Sequence, residues 1–150
     1  MPLWQIYHPE NAFTEDLKEG LASAITEANH TFVGIPRFYV NVFFHEMKSM
    51  YVGGKRTTNF IRITTDTIAR AMPTAEIRAE AMKGTEEFLA PFIKDRGFDW
   101  EFHFDETPRD LWRVQGLIPP EGYSDAEKLW MEENRAVPYY DVDPILPFAG

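Results

Sequence analysis

Two rhythms of apolar and polar residues recur in the same order along this chain. The run over residues 3–7, Leu-Trp-Gln-Ile-Tyr, has the β-branched and aromatic content of a strand. Thr14 then stands where an N-cap belongs, with Glu15 and Asp16 at the positive end of a helix macrodipole. Leu17, Leu21, Ile25, Ala28 and Phe32 follow at three- and four-residue spacing, which predicts one buried helical stripe. Gly34 and Pro36 end that helix. Residues 38–44, rich in aromatic and β-branched side chains, predict a second strand, and residues 50–58, with Gly53-Gly54 and Lys55-Arg56, a hairpin or loop. The order then repeats: a strand over 59–64, and a helix capped by Thr74 with a stripe of Ile77, Ala81, Thr85, Phe88 and Phe92. Pro91 kinks its end, and after Gly97 a strand returns over 99–105.

The chain therefore reads β-α-β, loop, β-α-β, a weak internal duplication of residues about 2–47 and 58–106 in a single domain. Helical crossovers imply parallel pairing within each unit, so the predicted fold class is α+β: a four-stranded sheet with both helices on one face. Three aromatic-rich strands with little charge would leave the other face apolar and wet, which predicts an oligomer that covers it. Residues 107–150 form an extension. Thr107-Pro108-Arg109-Asp110 predicts a short helix stopped by Gly116 and Pro119-Pro120, and Ser124 with Glu127 is a capping box opening a last helix to about Arg135. The tail over 138–150 should be extended, with Tyr139, Tyr140 and Phe148 available for docking.

Composition narrows the function. With 150 residues, 44% of them hydrophobic, the chain can bury a sizeable core. No apolar run approaches the ~20 residues of a membrane span, and the first residues lack the flank and core of a signal peptide, which predicts a cytoplasmic protein without membrane contact. The absence of cysteine excludes disulfides, thiolate metal sites and a cysteine nucleophile. A net charge of −9 argues against nucleic acid as a partner, so an anionic substrate would need local arginines. His8, His30, His45 and His103 show no paired ligand spacing, and no glycine-rich phosphate motif occurs, so neither metal nor cofactor is implied.

The chemistry that remains stands at the start of the chain. Removal of Met1 would give Pro2 a free secondary amine. An α-amino group has a pKa of about 7.7–8.0, and burial or a nearby cation lowers it, making a base near neutral pH.

Pro2 with its strand, the run Ala24-Ile25-Thr26-Glu27-Ala28, and Phe104-Asp105-Glu106-Thr107-Pro108 continuing through Gly116-Leu117-Ile118-Pro119-Pro120 resemble the tautomerase superfamily, and within it the cis-3-chloroacrylic acid dehalogenase group. The resemblance implies a tautomerase fold of two fused β-α-β units, a homotrimer, and cofactor-independent catalysis by the N-terminal proline. It also implies arginines on a substrate carboxylate, a histidine late in the first helix, a tyrosine on the last strand and a glutamate after it. Here Asn29 stands in the histidine's place with His30 beside it, His103 in the tyrosine's, and Val114 in the glutamate's with Gln115 adjacent. Arg70 falls near the family's arginines, and Arg62 lies within the preceding strand. Hydration needs a carboxylate to activate water, which Val114 cannot supply, whereas keto-enol exchange needs a base and a cation. The expected function is tautomerisation of a small 2-oxo acid or its enol. Pro2 is the expected general base, Asn29 and His103 are auxiliaries, and Arg70, Arg62, Trp112 and Gln115 bind the small carboxylate substrate. Hydration, dehalogenation or decarboxylation of a three-carbon acid is one alternative, and an inactive oligomer of the same fold is another.

Overall fold

A computed structural model describes residues 1–68 and 70–139. In chain order the elements are β1 (Pro2–Pro9), α1 (Glu15–Ala28), β2 (Asn41–Met47), the short hairpin β3 (Tyr51–Val52) and β4 (Lys55–Arg56), β5 (Phe60–Thr67), α2 (Ala75–Leu89), β6 (Asp99–Glu106) and α3 (Asp125–Glu133). The main sheet has four strands in the order β2-β1-β5-β6. β1 pairs parallel with β2, β5 parallel with β6, and β1 meets β5 antiparallel at the centre, so the two β-α-β units join edge to edge. Thr14 and Thr74 cap α1 and α2 by accepting the N–H groups of Leu17 and Ile77.

Strand register sorts the side chains. One row across the sheet is Val42, Trp4, Thr65 and Phe104, and the next is Phe44, Ile6, Ile63 and Phe102. Both rows pack beneath Leu21 and Ile25 of α1 and Leu89 of α2. Because alternate residues point to opposite faces, the aromatic content of β2 and β6 goes largely to the covered side. The open face is more polar than the strands' composition suggests: beside Leu3, Phe43 and Phe60 it carries Gln5, Tyr7, His45, Arg62, Thr64, Glu101 and His103. Tyr7 stacks on His45 at 4.6 Å, and Arg62 lies 3.5 Å from Glu101 and contacts His103.

Several boundaries differ from the sequence pattern. The α1 stripe ends before Phe32, which is 86% exposed, because residues Asn29–Val33 form a π turn closed by Gly34 in the left-handed region. The wider turn swings Phe32 outward. The second strand begins at Asn41, since Arg37–Tyr39 make a 3-10 turn after Pro36 that buries Tyr39. Residues Arg109–Leu111 form only a 3-10 turn, with Pro108 outside it, and α3 stops at Glu133 with Asn134 left-handed. The tail's Tyr139 docks as expected, its hydroxyl donating to the Ile118 carbonyl at 2.7 Å, whereas Tyr140 and Phe148 lie outside the described residues. Beyond the end of the sheet a second core joins Met1, Ile35, Tyr39, Ala126, Trp130 and Tyr139. Among the described residues no helix is long and apolar enough to cross a membrane.

Candidate active site

Pro2 opens β1 on the helix-covered face, opposite Thr67 at the end of β5. The parity that buries Trp4 and Ile6 therefore aims Pro2 into the space between the helices. At this end α1 has become the π turn, and a pocket of about 820 Å3 opens between it and α2. Its floor includes Pro2, Trp4, Thr67 and Phe104. Ala28, Asn29 and Val33 form one wall, Ile77, Ala81 and Thr85 the other, and Arg70 and Tyr123 also line it. Ile77, read as part of a buried stripe, is 44% exposed and lines the pocket, as do Ala81, Thr85 and Phe88 of the same stripe.

Arg70 reaches the site already paired. Its Nη1 and Nη2 donate to the two carboxylate oxygens of Glu127, each at 3.0 Å, and Nη2 also donates to the Gly34 carbonyl at 3.0 Å. The Tyr123 ring centroid lies 4.0 Å from the guanidinium carbon, and the Tyr123 N–H donates to Glu127 Oε2 at 2.7 Å. Such a bidentate, charge-assisted pair fixes both groups. Glu127 was legible only as a cap, and its N–H does donate to Ser124 Oγ at 3.1 Å. Its carboxylate, however, turns inward. Ala126 and Trp130, both fully buried, place this part of α3 against the core, and that flanking pattern was the available signal.

The amine that begins the chain feels this pair. Met1 is 6% exposed, and burial lowers its amino pKa from 8.0 to about 5; Glu127 opposes the shift and Arg70 adds to it. Tyr39, a second residue that sequence reasoning did not select, lies in the same cluster. Burial first, and the charge of Glu127 second, push its phenol above the ordinary range, and its hydroxyl has no hydrogen-bond partner among the described residues.

Residues 1–135 match the family described as "Putative oxalocrotonate tautomerase enzyme". The chain belongs to this tautomerase family. Among solved structures, native RhCC from Rhodococcus jostii RHA1 is 60% identical, with a TM-score of 0.87 over 91% of this chain and 99% of that one. A probable enzyme from the thermophilic fungus Aspergillus fumigatus is 41% identical, with a TM-score of 0.85 over 92% of this chain and 97% of that one. N1, a member of the cis-3-chloroacrylic acid dehalogenase family, shares the fold at 17% identity and a TM-score of 0.68, covering 87% of this chain and 96% of that one. No protein of curated function matches the sequence.

Of the residues selected from sequence, this tautomerase-family chain brings Pro2, Asn29 and Arg70 to one pocket. Asn29 is 7% exposed and donates Nδ2–H to the Ile25 carbonyl at 2.9 Å. Arg62 and His103 do not join them within the chain. Strand parity puts both on the open sheet face, where His103 also lies 3.1 Å from Asp105. Trp112 packs against the second core and donates Nε1–H to Thr107 Oγ1 at 2.7 Å. Gln115 is exposed at φ 51 in the tight turn bridged by Val114 and Leu117. His30 Nδ1 lies 2.8 Å from the Ile35 carbonyl, on the backbone that leaves the π turn. Among the described residues no three His, Asp or Glu side chains group as a metal site would require.

Proposed function

We propose that this protein is a cofactor-independent tautomerase in which Pro2, freed by excision of Met1, is the general base for a small 2-oxo acid or its enol. The observation that carries the reading is geometric: Pro2 lines one pocket with Asn29 and Arg70, and the Met1 amine, one residue before it, shows what burial does here, its pKa being lowered to about 5. A neutral amine at pH 7 removes a proton from the carbon next to the 2-oxo group, becoming an ammonium. The electron pair moves onto the oxygen as an enolate, and the proton returns to oxygen or carbon. Arg70 supplies positive potential for the substrate carboxylate and the enolate, and Asn29 offers an amide on the same wall. Both oxygens of Glu127 already accept N–H donors, which favours proton exchange at carbon over activation of water by that carboxylate.

Ketonisation of phenylenolpyruvate and 2-hydroxymuconate, followed by absorbance, tests the reading on processed protein and on protein that keeps Met1. Retained Met1 makes the Pro2 nitrogen an amide, and the rate is expected to fall at least about 100-fold, as does that of Pro2→Ala. In the processed enzyme kcat/KM should rise as the amine loses its proton. The midpoint of that acid limb should lie below the usual amino range of about 7.7–8.0. Equal rates with and without Met1 would overturn the proposal.

A further inference from the structure

The side chain of Met1 is packed in the second core with Ile35, Tyr39, Ala126 and Trp130, and its amine lies within electrostatic reach of Glu127 and Arg70. Excision removes that whole residue from a closed space. The walls are held from outside it: Trp130 Nε1–H donates to the Val137 carbonyl at 2.6 Å, Tyr139 to Ile118, and Arg70 to Glu127. Close-packed linings of this kind relax only in part around a deleted side chain, so a cavity persists.

That cavity begins at the Pro2 nitrogen. The direction of the cleaved N–C bond becomes a free direction on the amine, pointing where the Met1 carbonyl carbon had been. The atom that exchanges its proton with Pro2 therefore lies at the mouth of the vacated volume, and the rest of the substrate must extend either into it or into the outer pocket. Methionine is an unbranched chain, and a straight alkyl chain of about four carbons is its nearest substitute in shape. The Tyr39 hydroxyl, buried in the same cluster without a partner among the described residues, is a group whose cost a ligand oxygen would remove.

We propose that the volume filled by Met1 becomes, in the processed chain, a subsite for the unbranched aliphatic tail of a 2-oxo acid, walled by Ile35, Ala126 and Trp130, with the Tyr39 hydroxyl donating to the 2-oxo oxygen. The inference rests on Pro2 being the base, and it adds the substrate class: straight-chain 2-oxo acids near 2-oxohexanoate in length.

The test separates binding from chemistry. Isothermal titration of butanoate and hexanoate into processed protein should show hexanoate binding roughly fifteenfold tighter, since each of its two extra buried methylenes contributes about fourfold. The preference should vanish in protein that keeps Met1, a comparison that needs no substitution in the packed wall. Ala126→Leu, which fills the cavity, should also abolish it. Tyr39→Phe should leave the chain-length preference intact but remove any advantage of 2-oxohexanoate over hexanoate. A ratio near one in the processed protein, or the same ratio with Met1 present, would overturn the subsite. Exchange of the C3 protons of 2-oxohexanoate in heavy water, followed by NMR, reads the Pro2 proposal separately. Exchange without a length preference sinks the subsite alone, and a length preference without exchange sinks the base alone.

Discussion

Glu127 and Arg70 have side-chain exposures of 6% and 15%, and each is the other's counter-charge. Removing one member of such a pair leaves a charge in a medium that solvates it poorly. Glu127→Gln is therefore expected to lower the unfolding free energy by about 3 kcal/mol, read as a lower urea midpoint at unchanged slope. An unchanged midpoint would show that solvent already supports Arg70. Replacing both partners with apolar residues should cost less than the two single changes added together, because no orphaned charge remains. Pro2 could be selected from its own position and chemistry, whereas Asn29 and Arg70 could be selected through the family resemblance, at the places of its histidine and its arginines. Glu127 and Tyr39 could not be selected that way. A glutamate three residues after Ser124 reads as a cap, and a tyrosine inside Phe38-Tyr39-Val40 reads as strand.

The end of α1 shows how a local irregularity builds the pocket wall. A regular helix through Val33 would have carried Phe32 inward on the stripe of Leu21 and Ile25. The π turn over Asn29–Val33 instead leaves Phe32 86% exposed, and Asn29, Phe32 and Val33 all line the pocket. Gly34 closes the turn at φ 73, its N–H donating to the Asn29 carbonyl at 3.1 Å. A Cβ at Gly34 would meet nothing within 4 Å, so the cost of Gly34→Ala is conformational alone. The substitution should destabilise the fold by about 1–2 kcal/mol, measured by urea unfolding, and a neutral effect would mean that the turn readily adopts another closure. The periodicity of α1 and α2 gave their starts and caps correctly. It could not show that the stripe of α2 faces a pocket, because an apolar stripe is the same sequence whether it meets a sheet or a substrate.

For the assembled molecule, the open sheet face no longer supports association by apolar area, since its exposed positions are largely polar and partly paired. The most exposed large apolar groups are Phe32, Leu111 and Tyr123, at 86%, 77% and 75%, while Phe43 on the open sheet face is 52% exposed. Phe32 and Tyr123 line the pocket, so a second copy seated there would both cover them and complete its walls. We propose a homotrimer on this ground together with the family resemblance. Sedimentation equilibrium should give about three times the 17.4 kDa chain mass, and a monomer at micromolar concentration would refute it.

Two fused β-α-β units, their parallel pairing and their helix caps were determined by the sequence, because periodicity, caps and crossover geometry act over a few residues at a time. Pro2 likewise was marked by position alone. The tertiary structure decided which face each strand presents as the strands were brought into register, sending Arg62 and His103 to one side of the sheet and Pro2 to the other. It also joined Arg70 to Glu127, 57 residues apart in the chain, and gathered Met1, Tyr39, Ala126 and Trp130 into one core. Such contacts arise from the packing of distant elements, and no periodicity within a single segment encodes them.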